Sequence, residues 1–222
     1  MSDSYKSIAD RMLEETIIKI DGAYAEATIR AYRVDFQDFI NYCDKYNLES
    51  LPAQPLVIAN YIQQLVSDGR TSASIRRVIA GITTIHKLNR FQDPTKDTDV
   101  ILEMRRMHRK LGRYSKQAAG ITADILEKLL QATEAGNRGA RDRALLLIAY
   151  DTLCRRSELV SLRIEDIKVT MVDGIEKVSI LLRRSKTDQN ATGKRLHISA
   201  KAQVALKEWL VRLKNPEAGK LF

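Results

Sequence analysis

The sequence contains few cysteines and no long apolar run. Cys43 and Cys154 are the two cysteines among 222 residues, and both lie inside apolar helical patterns far apart in the chain. We therefore predict two reduced core residues rather than a disulfide or a metal-binding pair. No apolar run approaches the roughly 20 residues that a membrane helix requires, and the first residues, MSDSYKSIADRM, lack the apolar core of a signal peptide. These absences lead us to expect a cytoplasmic protein.

Internal repeats, low-complexity tracts and clusters of metal ligands are also lacking from the sequence. Repeat architectures and metal-centred domains are therefore set aside, and we expect no metal and no cofactor. A chain of this length can form one large domain or two ordinary ones, each with its own core. The hydrophobic and charged fractions, 44% and 29%, are those of a folded globular protein. We expect two domains.

Positive charge is the most informative part of the composition. The formal net charge is +9 and the pI is about 9.6, which favours a polyanionic partner because bound phosphates release condensed counterions. Charge alone does not identify nucleic acid, since many solvated proteins are basic. A more specific signal is the concentration of basic side chains against a single acid between residues 103 and 116. These basic residues are Arg105, Arg106, Arg109, Lys110, Arg113 and Lys116.

The first hundred residues show the three- to four-residue apolar periodicity of amphipathic helices. On the helix predicted for residues 26–46, Arg30 and Arg33 lie off the apolar stripe and are expected to face outward. Pro55 suits the first turn of the next helix. The following helix begins within the segment TSAS, whose hydroxyl groups can cap it. Its outward face is predicted to carry Arg76, Arg77, Thr84 and Lys87.

The predicted helical region ends near Gly112, a plausible helix terminator. Residues 113–120 are polar, basic and bounded by glycines, which is typical of a linker between domains. Beyond the linker, the segment ALLLIAY at residues 144–150 is apolar all round and predicts a central, fully buried helix. The period then changes to that of two strands, at residues 177–184 and 194–199, before a last helix at residues 202–213. The fold class is therefore mainly α, with a helical domain followed by an α+β part that contains a small antiparallel sheet.

Arg155 and Glu158 stand three residues apart and are expected on one face of the end of the buried helix. An arginine at such a position needs a partner. Taken alone, an Arg-Glu pair with this spacing is usually a surface ion pair that contributes little to stability. Its place after an all-apolar segment, with a basic hairpin further on, points instead to a functional arginine.

The segment from Thr152 to Leu159, TLCRRSEL, resembles the first catalytic box of the tyrosine recombinases of the phage integrase family, usually T-G-L-R-I-S-E-L. Counting back from Ser-Glu-Leu places Arg155 at the position of the catalytic arginine. The later segment RRSKTD is similar to the hairpin that carries the family's lysine, here Lys186. The N-terminal helices are similar to the family's SAM-like core-binding domain, and the variant with Leu153 resembles Cre-like members. Leu153 replaces the usual glycine, and Arg156 replaces an aliphatic residue.

The resemblance implies a domain division and a boundary. We expect a helical DNA-binding domain at residues 1–112, a linker at 113–120 and the N-terminal part of the catalytic domain at 121–222. In the family a His-x-x-Arg box, a further His or Trp and the tyrosine nucleophile follow the lysine hairpin, but none of these is found before Phe222. We therefore expect a truncated chain that is inactive by itself, with a naturally inactive fragment as the alternative.

The resemblance also implies the chemistry. In the family, a tyrosine attacks a DNA phosphodiester and forms a 3′-phosphotyrosine, so that strands are exchanged without ATP or metal. Arg155 would bind the non-bridging oxygens of the transition state, Lys186 would protonate the leaving 5′ oxygen, and Glu158 would orient the arginine. The expected partners are double-stranded DNA with a specific recombination site and, for the full-length protein, further copies that form a tetramer. The predicted DNA-binding residues are Arg30, Arg33, Ser72, Ser74, Arg76, Arg77, Lys87, Arg105, Arg106 and Arg109.

Two other functions remain open at this point. A regulator that uses only the helical domain would bind DNA without needing Arg155 or Lys186. A related enzyme that breaks and rejoins DNA, such as a telomere resolvase or a type IB topoisomerase, would use the same residues and differ in the topology of its products.

Overall fold

A computed structural model describes residues 8–114, 117–185 and 192–222. The chain divides into two compact units, Met1–Gln117 and Ala118–Phe222. Within the described residues the fold is mainly helical with a small antiparallel sheet, which confirms the predicted fold class. None of the described helices combines the length and the apolar character needed to cross a membrane.

The first unit is built from helices around one apolar core. Its helices are α1 (Ile8–Lys19), α2 (Glu26–Lys45), α3 (Pro55–Ser67), α4 (Ser72–Leu88) and α5 (Thr98–Leu111), with a 3₁₀ turn at Pro94–Lys96. Phe36, Ile58 and Ile82 are fully buried in the core, so the apolar stripes read from the sequence face inward as predicted. Thr71 caps α4 by accepting the Ser74 N–H, as expected for the TSAS segment. The apolar pattern of the sequence had not indicated α1.

Among the three histidines of the chain, His86 is fully buried in this core. Its Nε2 accepts the Ala53 N–H at 2.9 Å, and its Nδ1 lies 2.8 Å from the Ile82 carbonyl oxygen. Because Nε2 accepts, the neutral ring carries its proton on Nδ1 and donates it to Ile82. Burial lowers the pKa of His86, which keeps the ring neutral. His86 is therefore a helix-packing residue.

The second unit packs helices against a three-stranded sheet. Its elements are α6 (Ala123–Gln131), α7 (Asn137–Thr152), α8 (Arg156–Leu159), a 3₁₀ turn (Ile164–Asp166), β1 (Ile167–Val172), β2 (Ile175–Leu182), β3 (Lys194–His197) and α9 (Ala200–Arg212). The strands are antiparallel in the order β1-β2-β3. The sequence pattern did not predict β1, a half-exposed edge strand whose burial does not alternate strictly along its length.

The expectation that α7 is fully buried is wrong. Ala144, Leu147 and Ile148 are buried, but Leu145 is half-buried and Tyr150 is exposed. The reason is that α6, α9 and β3 cover only part of its circumference among the described residues. Composition indicated the apolar character of the helix but not the number of its covered faces.

Both cysteines are free. Cys43 is fully buried in the first unit, as predicted. Cys154 is half-buried in the turn that follows α7, so its environment is less enclosed than the sequence suggested.

Candidate active site and nucleic-acid interface

The turn after α7 determines where Arg155 lies. Leu153 adopts a left-handed backbone, with φ 52°, and ends the helix. Arg155 then occupies the N-cap position of the short helix α8. The prediction that Arg155 and Glu158 share the end of the buried helix is therefore wrong, because the left-handed residue starts a new helical turn in a different direction.

Glu158 holds Arg155 at two points. One carboxylate oxygen, Oε2, accepts the Arg155 N–H at 2.8 Å, and the other, Oε1, accepts from the guanidinium Nη1 at 2.9 Å. The Glu158 side chain is only 9% exposed, whereas that of Arg155 is 54% exposed. A buried carboxylate thus fixes the direction of a guanidinium that is about half exposed. This arrangement suits the binding of an anion by a preoriented arginine.

The two departures from the family box lie at the surface. Leu153 is 85% exposed, in a left-handed conformation that glycine adopts without strain. The usual glycine of the box therefore has a backbone reason, and Leu153 occupies this position without burying its side chain. Arg156 is also exposed, so its charge does not enter the core.

The predicted lysine, Lys186, lies outside the described residues. One acidic residue, Asp166, contacts both Arg183 just after the end of β2 and Arg195 on β3. Its carboxylate accepts from Arg183 Nε at 2.7 Å and Nη2 at 3.0 Å, and its carbonyl oxygen accepts from Arg195 at 3.2 Å. Sequence reasoning missed this contact because its partners are far apart in the chain and on different elements.

Glu165, the neighbour of Asp166, adds to this network. It accepts the Gly219 N–H at 2.9 Å and also bonds to Arg163 and Arg183. The hydrogen bond from the Gly219 N–H, then that from the backbone N–H of Glu165 itself and the contact with Arg163, lower the pKa of Glu165 to about 2. The carboxylate is therefore ionised at neutral pH, and the network ties the base of the hairpin to the last residues of the chain.

The predicted DNA-binding arginines and lysine divide by whether an acid neutralises them. Four have an acidic partner: Arg33 with Glu14 at 3.1 Å, Arg77 with Asp35 at 2.7 Å, Lys87 with Asp93 at 3.4 Å and Arg106 with Glu103 at 2.8 Å. The others have no acidic partner within 4 Å among the described residues, and these are Arg30, Arg76, Arg105 and Arg109. The second group therefore has more positive charge available for phosphates.

The two predicted serines differ in exposure. Ser74 is half-exposed on the first turn of α4. Ser72 is only 7% exposed, and its hydroxyl lies 3.1 Å from His108 Nδ1. The expectation that Ser72 is presented at the surface is wrong, because α5 packs over it and supplies a hydrogen-bonding partner.

Arg77 has a structural role that sequence reasoning did not foresee. Its guanidinium donates two hydrogen bonds to Asp35, at 2.7 and 2.8 Å, and so joins α4 to α2. Asp35 is only 4% exposed. A buried carboxylate without its partner is costly, so Arg77 compensates a charge within the first unit.

Replacing Arg77 by alanine is therefore expected to destabilise the first unit by about 1–3 kcal/mol, because Asp35 keeps its burial and loses its hydrogen bonds. Arg76→Ala is the matched control, since Arg76 is the exposed neighbour of Arg77 and has no acidic partner among the described residues. Urea unfolding followed by circular dichroism measures both variants. Equal stability of the two variants would contradict the structural role of Arg77.

Models of known families match both units. The model described as "Phage integrase family" matches residues 120–222, and "Phage integrase, N-terminal SAM-like domain" matches residues 15–91. The solved structure of the XerH site-specific recombinase bound to palindromic difH substrate matches with a TM-score of 0.55 at 17% identity, and the match covers 91% of this chain and 57% of that chain. This likeness shows the fold.

Curated relatives carry the names of recombinases. The chain is 32% identical over 202 residues to "Integrase/recombinase xerD homolog" of Selenomonas ruminantium, covering 86% of this chain and 58% of the relative. It is 31% identical over 201 residues to "Tyrosine recombinase XerC" of Pseudomonas fluorescens, covering 88% and 62%. With "Recombinase cre" of Escherichia phage P1 the identity is 25% over 193 residues, covering 85% and 55%. The chain thus spans less than two thirds of the length of each of these relatives. Because both units match models of phage integrase domains and these relatives are recombinases, the chain belongs to the phage integrase family, the family of the tyrosine recombinases.

Proposed function

We propose that this chain binds double-stranded DNA at a specific site and provides part of the active site for site-specific recombination. The observation that carries the proposal is the pair Arg155 and Glu158, in which a buried carboxylate orients a half-exposed guanidinium. The pair lies within the region that the phage integrase model matches. The names of the curated relatives, and the palindromic difH substrate bound in the XerH structure, support the same function.

The proposed reaction assigns a different task to each residue. Arg155 binds the two non-bridging oxygens of the scissile phosphate, where negative charge grows as the nucleophile attacks. Glu158 fixes the direction of that guanidinium. Lys186 donates a proton to the leaving 5′ oxygen, which is a strong base when it departs as an alkoxide.

A tyrosine supplies the nucleophile and forms the 3′-phosphotyrosine that stores the energy of the broken bond. We propose that this tyrosine belongs to the segment that follows the hairpin in the family, so residues 1–222 alone form no covalent adduct with DNA. Full-length copies are proposed to assemble as a tetramer on paired recombination sites, because two duplexes must be cut and exchanged.

The first unit is the proposed DNA-binding domain, and most of its contacts would be with phosphates. Arg30, Arg76, Arg105 and Arg109 are the best candidates, since no acid neutralises them among the described residues. Arg33, Lys87 and Arg106 are half-exposed or more and can still reach DNA, but each already has an acidic partner.

Binding of duplex DNA by the chain is expected to weaken steeply between about 50 and 200 mM salt, because phosphate contacts release counterions. The double variant Arg105→Gln, Arg109→Gln should reduce the salt slope by about two, and should weaken binding to all sequences alike. Fluorescence anisotropy with labelled duplexes measures both quantities.

The matched control is Lys201→Gln, Lys207→Gln, which removes the same charge from α9, where each lysine already pairs with a glutamate. An equal loss of slope in this control would show that total charge, and not this surface, governs binding. Binding that ignores salt would contradict the proposed function.

A further inference from the structure

His108 lies on α5 among side chains that the proposed function assigns to DNA. It shares a helix face with Arg105, since residues three positions apart lie side by side on a helix, and Arg109 is its neighbour in the chain. The ring is half-buried. Its Nδ1 is 3.1 Å from the Ser72 hydroxyl at the start of α4, and the structure shows no partner for Nε2 among the described residues.

The charges that act on His108 are positive. Burial lowers its pKa first, and Arg113 and Arg76 lower it further. Arg76 comes from α4, and Arg113 from the chain just after α5. The other α-helix packed on α5 is α3, which contains no charged residue. The acid that follows α3, Asp68, accepts a hydrogen bond from Gln64.

Arg105, Arg109 and Lys110 on α5 itself add positive charge, and the other charged groups near α5 are already paired or lie at its opposite end. Glu103, on the same helix, is buried and bonded to Arg106 and Gln63. Lys96 and Asp97 belong to the 3₁₀ turn and the N-cap at the opposite end of α5. The ring is therefore a neutral group within a positive cluster. A polyanion that binds this cluster would shift the ring towards its protonated form.

We propose that His108 is a phosphate-binding residue of the DNA interface and that it takes up a proton from solvent when duplex DNA binds. This inference rests on the proposed function. The Ser72 hydroxyl fits both states of the ring, because it can donate to a neutral Nδ1 and can accept from a protonated one. Ser72 thus holds the ring in place while Nε2 donates to a phosphate oxygen, more strongly when the ring is charged.

The sign of the linkage follows from the two states. In the free protein the pKa of His108 is lowered by burial and by the neighbouring arginines. A bound phosphate would offset those positive charges and raise the pKa of His108. DNA therefore binds more tightly to the protein in which His108 is protonated. Affinity should rise as the pH falls from neutrality into the acidic range, by at most about tenfold per pH unit for one proton.

The test measures the affinity of the chain for a labelled mixed-sequence duplex by anisotropy, at constant ionic strength, between about pH 5.5 and pH 7.5. His108→Gln is compared with His197→Gln, which alters an exposed histidine of β3. We expect the unchanged chain and the His197 variant to gain several-fold in affinity at low pH, and the His108→Gln variant to gain little. His108→Lys, which carries a permanent charge, should bind tightly with little dependence on pH.

A second measurement does not depend on any variant. The His108 ring signals of the unchanged chain, followed by NMR against pH, should show a higher pKa with DNA than without it. An unchanged pKa on DNA binding, or a His108→Gln variant that keeps the full pH dependence, would overturn the inference while leaving the proposed function intact. Absence of DNA binding at every pH would instead overturn the proposed function, and the inference with it.

Discussion

Replacing Arg155 by alanine is expected to reduce DNA cleavage by about 10³-fold while leaving the affinity for the recombination site nearly unchanged. The experiment uses an extended chain, in which residues 1–222 are followed by the C-terminal boxes of a related recombinase, including its tyrosine. Cleavage and binding are expected to respond differently because the proposed role of the guanidinium is to complement charge that exists only in the transition state. Binding of uncut DNA would depend on the many other proposed contacts with phosphates, so the loss of Arg155 should change the affinity little.

Arg156→Ala is the matched control for this prediction. It removes the adjacent arginine, which is exposed and for which the structure shows no contact with Glu158. Single-turnover cleavage of a nicked suicide substrate gives the rate, and anisotropy gives the affinity. A parallel loss of binding and cleavage in Arg155→Ala would reduce Arg155 to a phosphate-positioning residue.

The helices of the first unit could be predicted from the sequence because each buries one face in a single core. The periodic apolar residues of α2, α3 and α4, such as Phe36, Ile58 and Ile82, are fully buried as expected. A periodic pattern states which side of a helix faces inward, and that is sufficient where every helix has one neighbouring core.

The local geometry of the candidate site could not be predicted in the same way. The box TLCRRSEL identified Arg155 and Glu158, but a continuous helix was assumed through a leucine that adopts a left-handed backbone. Leucine rarely takes this conformation, so neither propensity nor periodicity signals the break. The family's glycine at this position was the available clue, and it indicates a turn.

Contacts between distant charges were also beyond the sequence. Arg77 faces away from the apolar stripe of α4, and this position suggested an exposed residue free for DNA. The structure pairs it with Asp35, 42 positions earlier and on another helix. A face can be deduced from spacing, whereas the residue opposite that face depends on how whole elements pack.

The most direct test of the proposed active site concerns Lys186, because a general acid can be separated from a charge stabiliser by changing the leaving group. A 5′ alkoxide is a strong base and needs a proton, whereas a thiolate, with a conjugate-acid pKa of roughly 8.5, leaves without one. A substrate with sulfur at the 5′-bridging position therefore makes the acid unnecessary. Arg155, which we propose acts on the non-bridging oxygens, should remain necessary on both substrates.

The measurement is the single-turnover cleavage rate of the extended chain on ordinary and 5′-bridging sulfur DNA, with residues 1–222 alone as the control that should form no adduct. Lys186→Ala is expected to be slower by about 10²-fold or more on ordinary DNA and to recover most of its rate on the sulfur substrate, while Arg155→Ala stays slow on both. If both variants remain equally slow on the sulfur substrate, Lys186 is not the general acid, and the proposed division of labour with Arg155 is wrong.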